Sequence, residues 1–187
     1  MRRPITSLLA LLCAIPAIAQ ERLQVSTAPG KPHAALARMA GDWQAHATFW
    51  AWENQSAPSM ECTATVNAEM VMGGRFLLQQ VEGRCRDQLV EAIGVLGYDN
   101  VASQYQAVSF DNMGTSISRH VGEMNDAGDI ILHLSYRDRT TGETVDRRTV
   151  RMMISEHEWV ETAHETRNRQ ERKVMEIRAK RSNEVVR

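Results

Sequence analysis

Residues 60–72 alternate without a break. Met60, Cys62, Ala64, Val66, Ala68, Met70 and Met72 hold one parity, and Glu61, Thr63, Thr65, Asn67 and Glu69 hold the other. Successive side chains of a strand point to opposite faces, so the pattern predicts one long strand with one face in a core and one in water. Gly73-Gly74 follows at once and can supply the positive φ angles of a tight hairpin. A turn centred on that pair puts Cys85 opposite Cys62, within disulfide range. A bulge that shifted the register would leave two buried thiols instead. Either way the pair is structural, because the chain has no C-x-x-C redox spacing.

A disulfide needs an oxidising compartment, and the N-terminus points to one. Arg2 and Arg3 form a positive region, residues 5–15 an apolar stretch, and Ala17-Ile18-Ala19 an A-x-A cleavage site before Gln20. Residues 1–19 thus read as a signal peptide cleaved after Ala19, and the mature chain as periplasmic or secreted. The apolar stretch is shorter than the roughly 20 residues that span a bilayer. Cys13 follows Leu12, where a lipid-anchor motif carries a small residue, so plain cleavage is expected. Loss of Arg2 and Arg3 reduces the 22 Lys and Arg residues to 20, against 23 Asp and Glu. That balance argues against nucleic acid, which calls for a clustered basic face. No later stretch is apolar enough for a transmembrane segment. Four Trp, three Tyr and three Phe are too few for the two aromatic girdles of an outer-membrane barrel.

Residues 20–32, with Pro29, Gly30 and Pro32, read as a flexible leader. Ala35, Leu36, Met39 and Ala40 recur at helical spacing and predict a short helix over 33–40, ending at Gly41. Strand signals then run near 43–52, 59–72, 75–85, 88–98, 103–111, 115–124, 129–137, 144–154, 157–165 and 172–181, with turn residues between them. All connections are short, so neighbours should pair antiparallel, and no βαβ alternation appears. So many consecutive antiparallel strands favour closure over an open sheet. The expected fold is all-β: an antiparallel up-and-down barrel of about eight to ten strands with a short N-terminal helix. It occupies 33–182 as a single domain, and 183–187 is a disordered tail.

Register arguments assign faces. Folding 129–137 onto 115–124 about Asp126-Ala127 pairs Val121 with Leu132 and Ile117 with Tyr136, and puts His120 opposite His133 on the outside. A three-residue Thr140-Thr141-Gly142 loop then places Val150, Met152 and Ile154 on the face of Leu132 and Leu134. A two-residue loop would put Arg147, Thr149 and Arg151 there instead. The first choice keeps the core apolar and is preferred.

Gly41-Asp42-Trp43 resembles the Gly-x-Trp of lipocalins, in which the Trp plugs the closed end of the barrel. A longer set of matches follows in order: Glu69-Met70-Val71-Met72-Gly73-Gly74-Arg75-Phe76-Leu77, Gly94 with Gly97-Tyr98-Asp99-Asn100, Asp111-Asn112-Met113-Gly114-Thr115 and Lys173-Val174-Met175-Glu176-Ile177. Together these resemble the bacterial family called domain of unknown function 1579, over about residues 31–181. The resemblance implies a lipocalin-like barrel and no particular activity. The chain departs from that pattern at Ser109-Phe110, where a Trp is expected, and at 167–169, where a Gly-containing turn is expected.

No catalytic motif is present: there is no G-x-S-x-G, H-E-x-x-H, Walker loop or haem-attachment sequence. The interior face in the preferred register carries Arg119, Glu123, Tyr136 and Arg148, and Arg75 and Tyr98 share the face of Cys62 and Cys85. Arg119 and Arg148 would neutralise a ligand carboxylate or phosphate, or an internal Arg–Glu pair would satisfy the charges. Met70, Met72, Met152 and Met153 would line an adaptable cavity or fill the core. His120 and His133 are too few for a metal site, and His157 and His164 differ in parity. No metal, cofactor or catalytic residue is predicted. The function expected is binding of a small apolar or amphipathic ligand inside the barrel. The alternatives are an enzyme using the same cavity, and a ligand-free envelope protein acting through its surface.

Overall fold

A computed structural model describes residues 27–138 and 141–182. Residues 1–26, 139–140 and 183–187 are outside the described residues, and with them the signal peptide, most of the leader, Cys13, Thr140 and the tail. Helix α1 (Lys31–Ala37) is followed by β1 (Gly41–Phe49), β2 (Met60–Val71), β3 (Phe76–Cys85), β4 (Gln88–Asp99) and β5 (Gln104–Asp111). Then come β6 (Ser118–Met124), β7 (Ile130–Arg137), β8 (Thr144–Ser155), β9 (Glu158–Arg167) and β10 (Gln170–Arg181). Consecutive strands pair antiparallel, and β1 also pairs with β10, so the sheet closes into an up-and-down barrel without free edges. β1 stops at Phe49, short of the expected 52, and β6 starts at Ser118, after the expected 115.

One end is plugged. α1 begins at Lys31, earlier than the expected 33, because Pro32 fits the first turn, where its missing N–H costs nothing. Leu36 and Trp43 are fully buried there beside Met39. Trp43 Nε1 donates to the Met39 carbonyl at 3.0 Å. The Arg181 guanidinium lies 4.2 Å from the Trp43 ring and donates to the Ala40 carbonyl at 2.9 Å. The first and last strands and the helix are thereby tied at one point. Tyr105 is buried in the same core, and burial, then the neighbouring Tyr98, pushes its phenol up to about 12.

The β2–β3 hairpin has the register read from the sequence: Cys62 faces Cys85 and Val66 faces Val81. Its loop spans 72–75, with Gly73 and Gly74 at φ 66° and 81°. Cys62 and Cys85 are joined by a disulfide, with Cα atoms 4.2 Å apart and both residues buried.

Two later registers correct the sequence reading. β6 and β7 pair Val121 with His133 and Gly122 with Leu132. The connection is the segment 125–129, closed by an Asn125 N–H bond to the Asp129 carbonyl at 3.0 Å and by Gly128 at φ 88°. It is not a two-residue turn at Asp126-Ala127. A one-residue slip turns a strand over, so Ser118, His120, Gly122 and Met124 face inward while Arg119, Val121 and Glu123 face out. At Gly122 a Cβ would collide with the Ile131 carbonyl.

β7 and β8 pair Leu132 with Thr149 and Leu134 with Arg147. The connection spans 138–143, with Asp138 N–H bonded to the Glu143 carbonyl at 2.9 Å. Arg147, Thr149 and Arg151 consequently face the interior, and Arg148, Val150 and Met152 face out. This is the arrangement set aside on grounds of core polarity. It is tolerated because β9 places a Glu opposite each inward Arg.

Candidate functional site

The barrel interior changes character along its axis. Toward α1 it is packed with apolar side chains. Further along, β8 and β9 pair Arg151 with Glu161 and Arg147 with Glu165, and in both pairs the charged atoms meet at 2.5 Å. Arg151, the deeper of the two, also donates to Gln79 Oε1 at 2.8 Å and lies 5.3 Å from the Trp159 ring. Nearer the other end, Glu165 accepts from the Tyr136 hydroxyl at 2.6 Å and from Arg167 at 3.0 Å as well as from Arg147. Arg167 in turn reaches Asp138 at 2.9 Å.

Between these groups lies a cavity of about 290 Å³. Ala92 and Gly94 on β4 and Ala107 and Ser109 on β5 line one side, and their small side chains leave the space. Val81, Leu96, Leu132 and Leu134 add apolar surface, while Ser118, His120, Thr149, Arg151 and Glu161 supply the polar part. A second space of about 450 Å³ opens beyond it, between Trp50, Trp52, Asp138 and Arg167. Arg147 and Met175 line both spaces, so they stand at the passage between them. Trp52 is held by Arg167 and Arg172, whose guanidinium carbons lie 5.6 and 5.2 Å from its ring, and Lys173 sits 4.5 Å from the Trp50 ring.

Burial disfavours a charged carboxyl, yet the hydrogen bonds from Tyr136 and Arg147 outweigh it and hold Glu165 below the usual carboxylate range. Burial, reinforced by that same bond, raises the Tyr136 phenol. Burial also lowers the His120 imidazole, which is thus neutral near pH 7. Its Nδ1 is buried without a protein partner, as is Nε of Arg147.

Of the residues expected to line a site, Tyr136 joins this cluster. Arg119, Glu123 and Arg148 do not, because the two registers turn them outward; Arg148 pairs with Glu171 at 2.9 Å on the outer face. Arg75 bonds the Met72 carbonyl in the β2–β3 loop at 3.1 Å. Tyr98 points inward but packs beside the plug, 5.0 Å from the Tyr105 ring and 6.0 Å from that of His33. His120 and His133 are separated by the barrel wall rather than paired outside it. Met70 and Met153 pack on the core, whereas Met72 is exposed. Sequence reasoning missed Arg147, Arg151, Glu161, Glu165 and His120. A signal was there: two Arg four apart on β8 face two Glu four apart on β9, complementary in one hairpin.

The fold and its interior define a class: closed antiparallel barrels with one plugged end and a partly polar cavity toward the other. The chain belongs to the family described as "Protein of unknown function (DUF1579)", whose model matches residues 28–181. It is also similar to the crystal structure of Rv2717c from M. tuberculosis, with 19% identity and a TM-score of 0.57 over 83% of this chain and 100% of that one. That likeness is one of fold. No curated protein matches the chain.

Proposed function

We propose that this chain is an exported barrel that holds a small apolar or amphipathic molecule in its interior. The observation that carries the reading is the cavity of about 290 Å³, apolar on β4 and β7, mixed on β3 and β5, and largely polar on β6, β8 and β9, beneath a wider opening. Sites for small molecules commonly combine a mostly apolar lining with a few fixed polar groups. Export is supported by the charge and apolar pattern of residues 1–19 and by the Cys62–Cys85 bond, which suits an oxidising compartment. Native mass spectrometry of protein purified from its own host tests both parts. The expected result is a mass starting at Gln20 with a small molecule that is released on denaturation. Bare polypeptide retaining residues 1–19 would contradict both.

A second reading, a protein acting through its surface, is favoured by one observation. Val108, Phe110, Val121 and Ile117 on or beside β5 and β6 are 37%, 44%, 49% and 61% exposed on the outer face. It predicts self-association or partner capture that Val121→Glu abolishes, with no cargo.

A further inference from the structure

We infer that the cavity selects an uncharged molecule of roughly ten to fifteen non-hydrogen atoms, scaled from a ~150 Å³ cavity that holds benzene, bearing a hydrogen-bond acceptor such as a ketone, ester or amide oxygen. The inference rests on the cargo-holding reading above. Its first ground is charge balance. Arg151 and Arg147 are each closed onto a Glu at 2.5 Å, and Gln79 Oε1 is already taken by Arg151. An anionic ligand that took Arg151 would leave the buried Glu161 carboxylate uncompensated, one that took Arg147 would leave Glu165 with Arg167 in place of two cations, and a ligand cation drawn to either Glu would strand the Arg. The second ground is what the balance leaves over. Arg147 Nε and His120 Nδ1 are buried polar atoms without a protein partner, on residues that line the cavity. Nε of Arg147 can only donate, and a neutral imidazole can donate or accept as its tautomer allows. A hydrocarbon would leave both unsatisfied, whereas an acceptor oxygen would engage one or both as the side chain turns its covered atom toward the cavity. The third ground is the opposite wall, where Ala92, Gly94, Ala107 and Leu96 offer apolar contact to the rest of the molecule.

Equilibrium dialysis of the intact protein against three probes matched in size tests this: 2-acetylnaphthalene, 2-naphthoate and 2-isopropylnaphthalene. The ketone is expected to bind about tenfold more tightly than either companion, the scale of one hydrogen bond to a charged group. Arg147→Lys keeps the charge facing Glu165 but removes the Nε–H, and should cut the ketone's advantage to about threefold or less while hydrocarbon binding holds. A thermal melt verifies that the variant is folded; if it is not, the wild-type ranking decides alone. Naphthoate or hydrocarbon binding as well as the ketone would overturn the selectivity and leave the cargo reading standing. Binding of none of the three would overturn the cargo reading and the selectivity with it.

Discussion

Glu165 is the side chain on which the open-end network converges, since Tyr136, Arg147 and Arg167 all bond its two oxygens. Glu165→Gln should destabilise the barrel by about 2–4 kcal/mol in denaturant titrations, somewhat under the full cost of breaking a buried pair because Arg147 keeps some access to solvent. The acid limb of stability draws on His120 and His164 and on Glu165, Glu171 and Glu176, of which His120 and Glu165 belong to the interior. The His120 imidazole is depressed in the fold, so its contribution is present above the ordinary value of 6.5 and is lost as pH falls through the lower folded value. Glu165 is depressed likewise, so its contribution is present above 4.5 and disappears at still lower pH. Melting temperature should accordingly decline in two stages from pH 7 to 3. Glu165→Gln should shrink the lower stage, which Glu171 and Glu176 also feed, and leave the upper one. The Cys62–Cys85 bridge closes a 23-residue separation. Its reduction should cost about 2–4 kcal/mol, read as a lower denaturant midpoint in reductant.

The strands differ in how plainly the sequence disclosed them. β2 was legible because its inward residues are nearly all apolar and its outward ones nearly all polar, and Gly73-Gly74 fixed the turn. Its register and disulfide followed from those residues alone. The number and order of the strands were legible too, as turn residues separate them, but β1 ended three residues before and β6 began three residues after the expected bounds. β6 and β8 were not legible in face. Around β8, Val145, Arg147, Thr149 and Arg151 alternate with Asp146, Arg148, Val150 and Met152, so both parities mix charge with apolar carbon. Preferring the apolar choice assumed a dry core, and the interior ion pairs violate that assumption. On β6 the face depended on the length of one loop, which Gly128 extended. The plug makes a firmer element-level prediction. Leu36 is fully buried between α1 and the barrel, and Leu36→Ala should cost about 2–5 kcal/mol through the void it leaves. Because the cavity lies further along the axis, ligand binding by the folded variant should persist.

Closure of β1 onto β10 decides what the molecule can do. It removes sheet edges that would otherwise pair with other chains, and it makes the inward face an enclosed volume rather than a surface. Packing fills that volume near Trp43 and Leu36 but not beside the small residues of β4 and β5, where paired charges on β8 and β9 complete the walls. The outer stripe of Val108, Phe110 and Val121 is the competing place for an apolar ligand. Methyl-resolved NMR of the intact protein titrated with 2-acetylnaphthalene separates the two directly. The account predicts saturable shifts at Val81, Leu132, Leu134 and Met175, with Val121 and Ile117 unmoved. Shifts confined to Val108, Val121 and Ile117, or no shift at any interior methyl, would contradict it.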